Sequence, residues 1–145
     1  MEKIAVASDH AGFLLKNAMQ EELELMGYEV LDLGAYSSES VDYPDFGHAM
    51  GRAIAEGTVE KGVLVCGSGV GISIAANRNP AVRAALCTNG LTARLARQHN
   101  DANVLALGER LIGIEVAKDC LLNFLNTDFE GGRHQRRVDK MAGTE

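Results

Sequence analysis

The hydrophobic positions of the chain form short continuous runs that alternate with amphipathic stretches. Five apolar runs, typical of strands, occupy residues 3–8, 28–34, 62–67, 82–87 and 103–108. Helix-favouring segments follow them at about 12–26, 46–56, from 71, at 93–98 and at 112–125. Continuously apolar strands are typical of a parallel sheet that helices cover on both faces. The pattern predicts an α/β fold, with a doubly wound five-stranded parallel sheet in the order 2-1-3-4-5 and an extra C-terminal helix after residue 127.

Composition restricts the classes of protein to which the chain belongs. Its 145 residues suit one domain, residues 1–145, that buries a core without disulfides. Three widely spaced cysteines, Cys66, Cys87 and Cys120, favour a reducing compartment. The start "MEKIAVASDHAG" has no signal-peptide pattern and no tract is apolar enough to cross a membrane, so we expect a cytoplasmic location. A net charge of −6 argues against nucleic-acid and membrane partners.

Chemically useful side chains follow several of the predicted strands. Asp9 and His10 end the first strand, Cys66 ends the third and Arg110 follows the fifth, while Tyr43 lies in "VDYPD" before the second helix. Ligands of such folds bind where the carboxyl ends of the strands open into loops. Because each residue alone has an ordinary structural explanation, their convergence at one edge is the argument that predicts a binding site there.

The loop "GSGVG" at residues 67–71 follows Cys66 directly. It lacks the Gly-Lys-Ser/Thr of a P-loop and the third glycine of a dinucleotide fingerprint. A tight turn of this kind directs backbone N–H groups toward one point and binds oxyanions, although a plain strand-to-helix turn is equally compatible. A thiolate at Cys66 suits either nucleophilic attack on a carbonyl or abstraction of a proton beside one, whereas the other cysteines suit a core.

The remaining candidates lie late in the chain. His99, in "RQHND", ends the fourth helix, which returns toward the amino edge of the sheet, opposite Cys66. If the two act together, His99 therefore comes from a neighbouring copy; the alternative is a cation at a helix C-terminus. The basic segment "GGRHQRR" is either a solvated tail or an anion site. The histidines show no metal-ligand spacing, so we expect no metal and no organic cofactor.

Five segments together are similar to one family, the type B ribose-5-phosphate isomerases, grouped with galactose- and allose-6-phosphate isomerases. The segments are "SDHAGFLLK", "VDYPDF", "VLVCGSGVGISIAANR", "ARQHNDANVLALGER" and "EGGRHQRRV". The match extends from about residue 3 to residue 138, with the segments in order. The resemblance implies reversible aldose–ketose conversion of ribose 5-phosphate and ribulose 5-phosphate through an enediolate. Hexose-6-phosphate isomerisation is the alternative, and a non-catalytic sensor of phosphosugars or nucleotides is a third.

The resemblance also implies roles for individual residues. Cys66 is the base, Ser68 relays protons and His99 opens the sugar ring. The enediolate contacts implied are Gly67, Ser68, Gly69, Val70 and Gly71. The other substrate contacts implied are Asp9, His10, Tyr43, Asn100, Arg110, Arg133 and Arg137. One branch of the family has a glutamate base one turn into the third helix, where this chain is apolar. The partners implied are a sugar phosphate and a second copy, in a homodimer with shared sites or a dimer of dimers.

Overall fold

The computed structural model describes residues 2–143. Strands and helices alternate along these residues, as the hydrophobic pattern predicts. The strands are β1 (Lys3–Ser8), β2 (Glu29–Asp32), β3 (Lys61–Cys66), β4 (Ala84–Leu86) and β5 (Val104–Gly108). The helices are α1 (Phe13–Leu25), α2 (Tyr43–Ala55), α3 (Val70–Ala76), α4 (Gly90–Asn100), α5 (Ile114–Leu125) and α6 (Arg133–Lys140). A single 3-10 turn at His10–Gly12 links β1 to α1.

All neighbouring strands pair in parallel, and their order is β2-β1-β3-β5-β4. The predicted parallel α/β class is confirmed, but the predicted order 2-1-3-4-5 is wrong for the last two strands. The reason is burial: β5 is buried along its whole length, whereas β4 has three residues that are only partly buried. A strand that is apolar on both faces needs a central place in the sheet. The edge position therefore goes to the short β4.

Helices cover both faces of the sheet. Ile4 and Val6 of β1 point into a core that α1, α4 and α5 cover, with Phe124 of α5 fully buried in it. Ala5 and Ala7 point to the opposite core, beneath α2 and α3. This alternation follows from the two-residue repeat of side chains along a strand. Cys66 belongs to the second core, so it faces the side of the sheet that carries α2 and α3.

The predicted C-terminal helix is present as α6, which lies outside the sheet and packs on α4. The N–H of Glu130 donates to the carbonyl of Gln98 at 3.1 Å, which fixes the approach to α6 beside the end of α4. That end of α4 is near the amino edge, since the following Asn103 accepts a hydrogen bond from the N–H of Gly62 at the start of β3. Among residues 2–143 no helix has the length and apolarity required to span a bilayer.

Candidate active site

Three strands deliver the predicted residues to one edge of the sheet. Val65 pairs with Ser8 of β1, and Cys66 pairs with Gly108 of β5. The connections beyond the strands are also joined, because the N–H of Asp9 donates to the carbonyl of Val65 at 3.3 Å. On the other side, the N–H of Glu109 donates to the carbonyl of Cys66 at 3.0 Å. Backbone hydrogen bonds therefore hold this edge together independently of the side chains.

Cys66 lies beneath the glycine-rich loop, with its side chain turned toward the loop backbone. The residue is 5% exposed, and the N–H of Gly69 donates a hydrogen bond to its Sγ at 3.1 Å. Gly69 has a φ of 79°, and a Cβ there would meet the backbone of Leu107 at 2.9 Å. Glycine is required for both the conformation and the space. The sulfur of Cys66 thus has a backbone hydrogen-bond donor at the edge of the loop.

A pocket of about 460 Å³ opens beside this loop. Its lining consists of Tyr43, Cys66, Gly67, Ser68, Val70, Gly71, Arg110 and Leu111. The ring of Tyr43 lies against Gly71, where a Cβ would come within 2.6 Å of it. The guanidinium of Arg110 lies over Gly67, and its Nη1 would be 3.3 Å from a Cβ added to Gly67. The two glycines thus let an aromatic ring and a cation approach the loop closely. Seven of the predicted site residues line this one pocket.

Asp9 and His10 flank the edge of the sheet next to β3. Oδ1 of Asp9 accepts a hydrogen bond from the N–H of Gly12 at 3.0 Å, so part of this buried carboxylate caps the 3-10 turn. Nδ1 of His10 accepts from the N–H of Val41 at 3.1 Å. A neutral imidazole that accepts at Nδ1 carries its proton on Nε2. In that form Nε2 of His10 is a hydrogen-bond donor, and Asp9 and His10 lie beside the pocket without being part of its lining.

The other two cysteines have a different character, as the sequence predicts. Both are fully buried in the core beneath α1, α4 and α5. Burial raises the pKa of Cys87 to about 12, with a smaller contribution from Cys120. Burial, together with the carboxylate of Asp119, raises the pKa of Cys120 to about 11. Both thiols therefore remain protonated at neutral pH and are unsuitable as bases.

Four predicted site residues lie away from this pocket. His99 and Asn100 end α4 near the amino edge, and Arg133 and Arg137 lie four positions apart on the exposed face of α6. Asn100 lines a separate cavity of about 360 Å³ beside β4. The six residues of β3 separate the two edges by roughly 20 Å, at about 3.3 Å per residue. Within one chain, the structure does not bring this second group to Cys66.

His99 has a neighbour that the sequence analysis did not assign. Its ring stacks on that of His134, with the centroids 4.5 Å apart and the planes inclined by 17°. Nε2 of His134 lies 3.5 Å from a carboxylate oxygen of Glu130. The three residues offer ligand atoms within 4.8 Å of one another, the one such metal-compatible group among residues 2–143. Because ring nitrogens bind metal in the plane of the imidazole, stacked rings do not direct their lone pairs at a common ion.

The sequence did not predict two residues that contact the candidate site residues, Leu111 and His134. Leu111 is 60% exposed and forms a wall of the pocket beside Arg110. His134 is buried between the exposed Arg133 and Gln135. An apolar residue directly after a predicted anion-binding arginine was a usable signal for Leu111. A histidine inside "GGRHQRR" was a signal for His134, but its contact with His99 depends on how α6 folds back on α4.

Comparisons with known proteins agree with this architecture. The sequence profile of the Ribose/Galactose Isomerase family matches residues 4–141. Ribose-5-phosphate isomerase B of Escherichia coli is 48% identical over 145 residues, covering 100% of this chain and 97% of that protein. The solved Clostridium thermocellum ribose-5-phosphate isomerase B is 50% identical, with a TM-score of 0.96 over 97% of this chain and 95% of that one. The Trypanosoma brucei type B enzyme is 43% identical, with a TM-score of 0.95 over 100% and 99% of the two chains. The chain therefore belongs to the ribose/galactose isomerase family.

Proposed function

We propose that this chain interconverts ribose 5-phosphate and ribulose 5-phosphate, with Cys66 as the base. The observation that carries the proposal is the hydrogen bond from the N–H of Gly69 to Sγ of Cys66, at the edge of an open pocket. The named activity of the Escherichia coli relative, which is 48% identical along the whole chain, supports this substrate. Cys66 is part of the lining of this pocket, and we expect the carbonyl end of the sugar to lie beside its sulfur.

The reaction requires one proton to move between two carbons. The Cys66 thiolate takes the proton from C2 of the open-chain aldose, and the C2–H electron pair forms the C1–C2 double bond of an enediolate. The thiol then returns the proton to C1 as the carbonyl forms at C2. A proton also passes from the C2 oxygen to the C1 oxygen, which is the role proposed for the hydroxyl of Ser68. The exchange is balanced without an external oxidant or reductant.

A thiolate removes a C–H proton beside a carbonyl only when the enediolate is stabilised. The N–H groups of Gly69 and Val70 already donate to Sγ of Cys66 and to the hydroxyl of Ser68, so the other backbone N–H groups of residues 67–71 supply such donors. Loss of one donor in an oxyanion site typically costs about 10²–10³ in rate. The cation of Arg110 lies next to this loop, over Gly67. His10 presents a donor, and Asp9 is placed to accept from sugar hydroxyls. We expect Arg110 to bind negative charge of the phosphosugar, and His10 and Asp9 to bind its hydroxyl groups.

Ring opening requires a second group, which we propose is His99 of a neighbouring copy. His99, Asn100, Arg133 and Arg137 lie near the opposite edge from Cys66, so a two-fold dimer supplies them to the partner's pocket. The ring oxygen gains a proton from His99 as the C1 hydroxyl loses one. Guanidinium groups on α6 then hold the phosphate far from the reacting carbons, where binding energy aligns C1 and C2 with the sulfur.

Exposed apolar side chains beside the pocket support association with a second copy. Val70 and Ile74 lie one turn apart on α3 and are 44% and 56% exposed. Leu111 adds a further apolar surface at the pocket wall. Large apolar side chains that cluster at a functional edge are typical of an interaction surface. The surface adjoins the pocket in which the partner's residues are expected.

The decisive experiment compares two cysteine variants on a panel of sugar phosphates. Cys66→Ala should lower kcat with ribose 5-phosphate by about 10²–10⁴, the usual contribution of a general base. Cys87→Ala is the matched control and should retain wild-type kcat, because its thiol is protonated in the core. A wild-type protein that prefers allose or galactose 6-phosphate by kcat/KM would move the assignment to the hexose branch. Binding without turnover would indicate a sensor.

The proposed chemistry uses no metal ion and no organic cofactor. Isomerase activity should survive exhaustive dialysis against EDTA, measured with ribose 5-phosphate before and after treatment. An apoprotein that loses activity and regains it with a divalent cation would overturn this part of the proposal.

A further inference from the structure

A lysine is among the largest fully buried side chains of the described residues. Lys16, on α1, is 1% exposed, whereas the other large buried side chains are apolar. An ammonium group buried to this extent is unfavourable unless opposite charge and hydrogen-bond acceptors surround it. The identity of those acceptors shows what the buried charge holds in place.

The partners of Lys16 are concentrated in the segment that follows β2. Its Nζ donates to Oδ1 of Asp32 at 2.8 Å and to the carbonyl of Ala35 at 2.6 Å. The ammonium also lies 5.6 Å from the ring centroid of Tyr36 and 5.4 Å from that of Phe13, within cation–π range. Three of the four partners thus belong to residues 32–36, and the fourth begins α1.

The same segment is closed on itself around the ammonium. Oδ1 of Asp32 accepts a second hydrogen bond, from the N–H of Gly34 at 2.9 Å. The hydroxyl of Tyr36 donates to the carbonyl of Asp32 at 3.1 Å. Removing the charge of Lys16 would leave the carboxylate of Asp32 and the carbonyl of Ala35 without their common donor. The ammonium group is therefore the donor that joins these two acceptors.

This segment borders the candidate active site. The N–H of Ser8 donates to the carbonyl of Gly34 at 2.7 Å, and the N–H of Ala35 donates to the carbonyl of Ser8 at 2.8 Å. Ser8 directly precedes Asp9. Further along the same connection, Val41 donates to Nδ1 of His10. The connection ends at Tyr43, whose ring forms part of the pocket wall.

We propose that Lys16 is a positioning residue for the sugar-binding side of the pocket, acting through Asp32 and residues 33–42. Its buried ammonium holds the start of the connection against β1 and α1, so that Asp9, His10 and Tyr43 keep their places around the ligand. Lys16 makes no contact with the reacting atoms. The inference rests on the proposed function, since it assigns a part to the pocket that function uses.

The test combines Lys16→Met, which keeps the length of the side chain but removes its charge, with Lys118→Met as a matched control. Lys118 pairs with Glu22 at 3.8 Å on the surface, away from the connection. In Lys16→Met, amide hydrogen exchange in residues 33–42 should rise by about tenfold or more while exchange in β3 and β5 stays near wild type. KM for ribose 5-phosphate should rise by about tenfold, with a smaller change in kcat. For this comparison kcat is calculated per active site, counted as the amount of Cys66 that can be alkylated. Lys118→Met should change neither quantity.

The proposal is overturned if the connection exchanges as in wild type, or if KM is unchanged. It is also overturned if exchange rises uniformly and activity falls only in proportion to the folded fraction, because Lys16 would then be an ordinary core residue. If Lys16→Met does not fold, Asp32→Asn replaces it, because this variant keeps an oxygen acceptor but loses the charge. The same two quantities, hydrogen exchange in residues 33–42 and KM, are then measured on Asp32→Asn. A wild-type protein inactive on every sugar phosphate contradicts the proposed function, and the exchange data still decide whether Lys16 restrains the connection.

Discussion

The N–H of Gly69 donates to Sγ of Cys66 at 3.1 Å, which makes Cys66 unlike the other two cysteines. Burial raises the pKa values of Cys87 and Cys120 to about 12 and about 11. At neutral pH their thiolates are scarce, whereas Cys66 has a backbone donor and borders an open pocket. The difference is chemical as well as geometric, and it can be measured residue by residue.

Iodoacetamide at pH 7.5 should therefore alkylate Cys66 well before Cys87 and Cys120, since the thiolate is the reactive form. Ribose 5-phosphate should slow the labelling, and loss of activity should follow modification of Cys66. Peptide mass spectrometry over a time course measures all three sites in one experiment. Inactivation that follows labelling of Cys87 or Cys120, with Cys66 unmodified, would show that the base is wrongly assigned.

Gly69→Ala should damage both stability and catalysis. The new Cβ would meet a methyl group of Leu86 and the backbone of Leu107, in addition to the strain of a positive φ. Gly57→Ala is a matched control, because Gly57 has a φ of 75° but nothing within 4 Å of the added atom. We expect Gly57→Ala to lose about 1 kcal/mol with unchanged kcat, the cost of the conformation alone.

Gly69→Ala should lose more stability than this control and at least about tenfold in kcat, since the donor to Cys66 must shift. Urea unfolding and steady-state kinetics on both variants provide the comparison. Equal stabilities, or an unchanged kcat in Gly69→Ala, would mean that the loop adapts without disturbing the sulfur.

The buried thiols also predict how stability changes in alkali. In the unfolded chain a cysteine has its ordinary pKa of 9.0, below the values of about 12 and 11 in the folded state. Between these values the folded state holds more protons than the unfolded state. The contribution of the two thiols to the free energy of unfolding is therefore fully present below pH 9 and is lost as the pH rises toward 11. The double variant Cys87→Ala/Cys120→Ala lacks this contribution.

Urea unfolding at pH 8 and pH 10.5 should therefore show a loss of stability that is about 4 kcal/mol larger in wild type than in the double variant, about 2 kcal/mol for each thiol. Other alkaline groups, including Tyr28, are common to both proteins and cancel in the difference. Parallel declines would mean that neither buried thiol ionises on unfolding.

Much of the fold and of the pocket could be predicted from the sequence because both follow from short-range patterns. Apolar runs mark the strands, and strand ends mark the edge where Cys66, Tyr43 and Arg110 meet. The order of β4 and β5 could not be read in this way, because it depends on which strand is better buried on both faces. Relative burial is a property of the assembled sheet and is not set within either segment.

Lys16 shows a second limit of sequence reasoning. A lysine in an amphipathic helix usually indicates a solvated face. Its acceptors, Asp32 and Ala35, lie 16 and 19 residues away and meet it only after α1 packs on the sheet. The stacking of His99 on His134 likewise depends on α6 returning to α4. Contacts between distant segments leave no periodic signal in the chain.

Arg137→Ala separates phosphate binding from the chemical step. If α6 supplies the phosphate site, the variant should raise KM for ribose 5-phosphate by about tenfold, with a smaller fall in kcat through misalignment. Arg136→Ala, at the neighbouring exposed position, is the control and should behave as wild type. Steady-state kinetics at constant ionic strength measure both. A wild-type KM in Arg137→Ala would make α6 an ordinary solvated helix.

The last prediction concerns the origin of the two halves of the site. Cys66 lies at the carboxyl edge of the sheet and His99 near the amino edge, so a sugar that contacts both must lie between two copies. In a two-fold dimer each of the two sites takes Cys66 from one chain and His99 from the other. Cys66→Ala and His99→Asn homodimers should each be nearly inactive with ribose 5-phosphate, whereas their heterodimer contains one intact site.

Random exchange of equal amounts makes about half of the dimers heterodimers, so activity should return to about one quarter of the wild-type value. Mass spectrometry of the intact mixed dimers verifies that exchange has occurred, and the Cys66→Ala/His99→Asn double variant mixed with wild type controls for exchange itself. Without recovery in a mixture that has exchanged, Cys66 and His99 would have to act within one chain. A large movement of α4 relative to β3 would then be required, because the described structure holds the two residues near opposite edges.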